Sequence, residues 1–223
     1  MCGRFLLYHP LMELYERFYV DQLAFDLEVT PSYNIAPSQQ LLAVVNDGKQ
    51  NRMGFLKWGL VPYWAKDASL GHKLINARVE TLASKPSFAE AYKKRRCIII
   101  ASGFYEWKKE GSKKTPMLIQ LKNKEPIALA GLWERWVDAD GKALTTATII
   151  TTEPNELMQD IHDRMPVILD AEQIELWLNR EVQDTNQLDT LLRPFPADQM
   201  KAHPVSNAVN SPKNNDPSLI KAV

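Results

Sequence analysis

Apolar residues in LMELYERF (11–18) recur at the spacing of one helix face, whereas LLAVV (41–45) and FLKWGLV (55–61) are short apolar runs that predict strands. Helix and strand therefore alternate from the beginning of the chain. Pro86 precedes Ser87, and Glu90 completes a Ser-x-x-Glu spacing, which predicts a capping box at the start of a helix running to the basic KKRR (93–96). That basic run either closes the helix through its dipole or contacts phosphate. From Cys97 the pattern turns β-rich, with CIIIASGFYEW (97–107), TPMLIQL (115–121), IALAGLWERWV (127–137) and LTTATIITT (144–152) separated by Lys/Gly turns. The gaps are too short for crossover helices, so these strands are expected to pair mainly antiparallel. A short helix is expected over 154–160 and another after Asp170, where Gln173 supplies an Asp-x-x-Gln cap before IELWL. The tail from Ser206, with SPKNNDP, is poor in bulky apolar residues and reads as a surface segment, flexible over about 211–223. No repeat or low-complexity linker interrupts the pattern. The expected architecture is a single α+β domain over 1–223, built on a curved, mainly antiparallel, barrel-like sheet with peripheral helices.

Composition removes several function classes. The 27 basic and 27 acidic side chains cancel, so no global field steers the protein to a polyanion, and contact with nucleic acid must rest on a local basic surface. Two cysteines are too few for a disulfide framework, and MCGRFLLYHP lacks the charged front and apolar run of a secretory signal. A reducing cytoplasmic setting is expected, nucleoid-associated in a bacterium. The nearest candidate, CIIIASGF, falls far short of the roughly 18 to 20 residues that cross a bilayer, so no membrane role is expected. Two Cys and four His without CxxC or HExxH offer no convincing metal ligand set.

Cys2 is the position richest in chemistry. A small side chain after Met1 permits removal of the methionine, leaving Cys2 with a free α-amine beside its thiol. The α-amine has a reference pKa of about 7.7 to 8.0, so much of it is nucleophilic near neutrality, and cysteine is the strongest side-chain nucleophile. Toward an aldehyde such a 1,2-aminothiol forms a Schiff base and then a thiazolidine. The same groups could instead cleave an amide, and a small residue at a processed terminus is the ordinary meaning of such a cysteine. Six tryptophans offer stacking faces. Trp58, Trp133, Trp136 and Trp177 lie in apolar patterns and read as core, and Cys97, opening an apolar strand, reads as a buried inert thiol.

MCGRF is followed in order by PSYNIAPSQ (31–39), WGLVPYWA (58–65), INARVET (75–81), SGFYEW (102–107) and HDRMPVIL (162–169). Together these segments resemble the SRAP family, the SOS-response-associated peptidase-like proteins that shield abasic sites, from Cys2 to about HPVSNAVN (203–210). The resemblance implies that Cys2 is the crosslinking nucleophile, with Asn76, Glu106 and His162 around it. Glu106 lies between aromatic neighbours, where desolvation would raise its pKa and suit it to proton transfer during ring opening. His162 would exchange a proton or hydrogen bond with the sugar oxygens, and Asn76 would hold the amine and aldehyde oxygen in line. Taken singly, these three read as a strand carboxylate, a helix-end cap and a turn residue. Arg4, Arg78 and Arg164 stand beside the motifs and are the expected phosphate contacts, although ion pairing is the usual fate of an arginine. Trp64 and Trp107 flank the same motifs as candidates to wedge or stack a base, and the SYNIAPS segment, rich in turn formers, is a candidate lining of the same groove.

The expected function is covalent capture of the ring-opened abasic-site aldehyde in single-stranded DNA, with lyase-like and autopeptidase chemistry as companions implied by the family. No metal or organic cofactor is expected, the partner is single-stranded DNA, and the chain is expected to act as a monomer. Two rivals remain open at this level: a cysteine peptidase acting through Cys2, and a non-covalent reader of single-stranded or modified DNA.

Overall fold

The apolar runs of the middle of the chain form the wall of a barrel. The computed structural model describes residues 2–18 and 20–223. In chain order its strands are β1 (Phe5–Leu7), β2 (Gln22–Leu23), β3 (Ser32–Ile35), β4 (Gln40–Asn46), β5 (Asn51–Trp58), β6 (Asn76–Arg78) and β7 (Arg96–Ala101). There follow β8 (Gly103–Glu110), β9 (Lys113–Leu121), β10 (Ile127–Val137), β11 (Ala143–Thr152), β12 (Met165–Pro166), β13 (Ile168–Leu169) and β14 (Met200–Pro204). The helices are α1 (Leu11–Arg17), α2 (Ala89–Lys94), α3 (Glu156–Gln159), α4 (Ala171–Leu178) and α5 (Thr185–Asp189). Strands β5, β4, β7, β10 and β11 are successive antiparallel neighbours, and β11 returns to β5 by a short parallel pairing of Thr146 with Lys57 and Ala147 with Trp58. The ring is thereby closed, which leaves these strands no free edge.

A second sheet, in the order β14, β9, β8, β1, β3, is antiparallel throughout and buries both of its faces. Phe5, Phe104 and Ile119 join the main core with the barrel, whereas Leu6, Tyr105 and Leu118, the alternate positions, join a smaller cluster with Val205, Val209 and Leu219. Period-two alternation thus points one set of side chains at the barrel and the other at the C-terminal tail. The Phe5 and Trp58 rings, 5.1 Å apart, mark the junction of sheet and barrel.

The α+β barrel architecture and its mainly antiparallel pairing agree with the pattern of the sequence, as does the cap of α4, where Asp170 and Gln173 form a reciprocal capping box. Local details differ. No capping box forms at Ser87: α2 starts at Ala89 after Phe88, which has no side-chain cap and is buried, so insertion of its ring in the core sets the entry. β5 stops at Trp58 rather than running to Val61, because Gly59 adopts φ +121 and its Cα approaches the Gly71 backbone too closely for a side chain. CIIIASGFYEW is divided at Ser102 between the barrel and the second sheet. The SYNI part of SYNIAPS is strand β3, paired with β1, and lines no groove at the Cys2 centre.

The basic run KKRR belongs to the fold. Lys94 pairs with Glu90, Arg95 with Glu134, and the buried Arg96 donates to the carbonyls of Tyr92, Lys93, Trp177, Asn179 and Val182. The tail is a surface segment, pinned by buried Val209 and Leu219 and by Asn34 Nδ2, which donates to the carbonyls of Val209, Ser211 and Asn214. Among the described residues no helix is long and apolar enough to cross a membrane.

Candidate active site

Pairing of β1 with β8 carries the start of the chain alongside GFYEW: Phe5 is opposite Phe104, and Tyr105 N donates to Arg4 O at 2.9 Å. Just upstream, Cys2 is a free thiol with no exposed surface. Asn76 opens β6 opposite Ile149 of β11, and its Nδ2 donates to Cys2 O at 2.9 Å. Its Oδ1 is buried without a hydrogen-bond partner, an acceptor available to an incoming donor. Cys2 and Glu106 therefore belong to the second sheet side, Asn76 to the barrel side, and the centre lies on the seam between them.

Glu106 is 2% exposed, and burial is the chief reason its pKa rises to about 7. The Cys2 thiol is pushed far above its ordinary value, first by burial and then by the negative charge of Glu106. His162 stands in the loop between α3 and β12, with Nε2 3.9 Å from Glu106 Oε2. Burial lowers its pKa, so the imidazole is neutral at neutral pH. Its Nδ1 faces the Arg164 amide at 3.1 Å and Asp163 Oδ1 at 2.8 Å. A neutral ring with its proton on Nε2 accepts from the amide and donates toward Glu106; with its proton on Nδ1 it donates to Asp163 and presents Nε2 as an acceptor. The grouping therefore joins a nucleophile that needs its proton removed to a carboxyl group able to give or take one near neutrality.

Two adjoining grooves open over this centre. The first, of 590 Å³, is lined by Arg78, Trp107, Lys109 and residues 159–164; the second, of 440 Å³, by Glu106, Trp107, Lys109, Lys114, His162 and Asn210. Trp107 stands between them with Nε1 donating to Asn210 Oδ1 at 2.7 Å and the Arg4 guanidinium 5.9 Å from its ring. Arg4 itself donates to Asn34 Oδ1 and Val209 O, so it ties β1 to the tail. Arg164 makes a two-pronged pair with Glu80 and also donates to Thr151 O. Arg78 is exposed on the groove. Trp64 is 48% exposed but lines neither groove; the loop carrying it is tied instead to β10, where Trp136 Nε1 donates to Ala65 O.

Lys109 and Lys114 were not among the residues expected at the site. The signal for them is the spacing of KKEGSKK, in which a turn at Gly111 sets Lys109 opposite Lys114 across β8 and β9. Among the described residues no group of three or more His, Cys, Asp or Glu side chains is arranged to hold a metal ion.

Fold and centre together define an α+β barrel protein with a cysteine-centred site at the seam between barrel and sheet. The chain belongs to the SOS response associated peptidase (SRAP) family, whose model matches residues 1–212. It is 53% identical over 223 residues to the abasic site processing protein YoqW of Bacillus subtilis (strain 168), with the whole of both chains covered. It is 32% identical to the abasic site processing protein YedK of Escherichia coli (strain K12), again with the whole of both chains covered. A crystal structure of a protein from Bacteroides thetaiotaomicron superposes with a TM-score of 0.90 at 28% identity, covering 100% of each chain.

Proposed function

We propose that the chain processes abasic sites, and that it does so in single-stranded DNA by covalent capture of the ring-opened sugar through Cys2. The observation that carries this reading is the burial of Cys2 against a carboxyl group, Glu106, whose pKa is about 7. After removal of Met1, the Cys2 amine adds to the aldehyde carbon to give a carbinolamine. Protonated Glu106 gives its proton to the carbinolamine hydroxyl, which leaves as water, and a protonated Schiff base, the iminium, forms. The thiol then adds to the same carbon and its proton passes to the Glu106 carboxylate, closing a thiazolidine and restoring the acid. Burial makes this second transfer necessary, because a thiol of raised pKa is protonated at neutral pH. The overall reaction joins aldehyde and aminothiol with loss of one water and consumes no cofactor.

In this reading Asn76 Oδ1 accepts from the Cys2 amine, and His162 donates from Nε2 to a sugar oxygen. Arg78 contacts phosphate and Trp107 stacks a base. Arg4 and Arg164, both engaged with the protein, act by holding Trp107 and Glu80 and by sharing their charge with the strand. The test is incubation of the protein with a single-stranded oligonucleotide bearing one abasic site, followed by denaturing electrophoresis and intact mass. The expected product resists denaturation and weighs the sum of mature protein and oligonucleotide less one water. Absence of that product, or its formation at the normal rate by Cys2→Ala, overturns the proposal.

A further inference from the structure

The hairpin of β8 and β9 carries two cations that form no ion pair among the described residues. The antiparallel register sets Lys109 directly opposite Lys114, and like charges so placed weaken a strand pair. Their neighbour is compensated, with Lys108 Nζ 3.1 Å from Glu110 Oε1. Lys109 and Lys114 are exposed and form no ion pair among the described residues. Both border the groove into which Glu106 opens. A chain with 27 positive and 27 negative side chains thus sets two adjacent lysines, without an ion pair among the described residues, at one particular mouth. Arg78 borders only the first groove and Lys114 only the second, while Trp107, Lys109 and His162 are common to both.

We propose that Lys109 and Lys114 form a phosphodiester-binding subsite in the second groove, which Arg78 does not border, so that a captured strand is gripped by its backbone on both sides of the reacting sugar. This rests on the reading of the chain as an abasic-site capture protein. An ammonium group is a compact point charge suited to a phosphate whose orientation is not fixed, and neutralising backbone phosphates releases counterions. The repulsion between the lysines is relieved when the phosphate arrives, so a feature unfavourable to the empty hairpin favours the occupied one.

The test compares the full-length protein with K109Q/K114Q and R78Q. For an undamaged single-stranded oligonucleotide, the slope of log affinity against log salt is expected to flatten by about 0.7 in the double variant, the change for one phosphate no longer neutralised. The melting temperature of K109Q/K114Q is expected to equal or exceed that of wild type, because a repulsion has been removed. In a second arm the abasic residue is placed near one end or the other of the oligonucleotide, so that the strand extends to one side only. K109Q/K114Q is expected to slow crosslinking of one placement and R78Q that of the other. An unchanged salt slope, equal slowing of both placements, or a lowered melting temperature in K109Q/K114Q overturns the subsite. Failure of wild type to capture either oligonucleotide overturns the underlying function instead.

Discussion

A carboxyl group with a pKa of about 7 is half ionised at neutral pH, and at Glu106 burial is the main cause of the rise. The folded chain thus holds a proton that an unfolded glutamate releases near its reference pKa of about 4.3. Between that pH and about 7 the native state binds more protons than the unfolded state, so the Glu106 contribution makes stability fall as pH rises. Glu106→Gln removes the titration while keeping the shape. The variant is expected to gain stability relative to wild type at about pH 8 and to lose that advantage near pH 5, a contrast read by urea denaturation at the two values. Its crosslinking rate is expected to fall by about 10²- to 10⁴-fold, the usual worth of general acid–base help, with affinity for undamaged single-stranded DNA retained. Single-turnover rates with protein in excess check this, and a wild-type rate across the whole pH range would remove Glu106 from the chemistry. His162→Ala is expected to slow the same step less, because water can replace an Nε2 donor 3.9 Å from the carboxylate.

At the scale of elements, the end of β5 couples barrel closure to the site. Gly59 N donates to Ala147 O at 2.8 Å, continuing the parallel pairing that shuts the ring, while Trp58 Nε1 donates to Ile75 O beside Asn76. A Cβ on Gly59 would stand 2.6 Å from Gly71 O, at a φ of +121 that side chains rarely adopt. Gly59→Ala is expected to cost on the order of 1 to 3 kcal/mol, read as a lower urea midpoint, and to slow crosslinking by shifting Asn76. This turn also shows what the sequence conceals. FLKWGLV looks like continuous strand because its apolar run is local, whereas the Gly59 to Gly71 approach is tertiary. The same distinction explains Ser87, where a local capping signal is overridden by burial of Phe88, and SYNI, where turn formers are drawn into pairing with β1. Asp170 with Gln173 is legible because its whole interaction lies within one helical turn. The candidate site was legible only through the order of its motifs. Nothing in the periodicity around Cys2, Asn76, Glu106 or His162 reveals that β1, β6, β8 and the α3 to β12 loop converge, and Lys109 with Lys114 needed the hairpin register.

Taken whole, the molecule is layered as barrel, five-stranded sheet and tail, and the middle layer carries Glu106. Its outer face packs into the smaller apolar cluster, to which the tail contributes Val209 and Leu219, both buried. The tail is also the source of three carbonyl acceptors for Asn34 and one for Arg4, and Arg4 in turn lies over the Trp107 ring. A short and mostly polar segment therefore fixes the outer boundary of the site through two buried side chains. Leu219→Ala is expected to cost about 2 to 5 kcal/mol, the usual range for emptying a buried leucine site, and to lower the melting temperature by roughly 5 to 15 °C. Well below that temperature Cys2, Asn76, Glu106 and His162 keep their supports in the barrel and second sheet, so crosslinking of an abasic oligonucleotide should proceed within about threefold of wild type, a difference worth under about 1 kcal/mol. A thermal melt and a crosslinking time course on the same preparation separate these effects. An unchanged melting temperature would mean that the tail covers the sheet without stabilising it, and a large loss of crosslinking at low temperature would make the tail part of the catalytic arrangement.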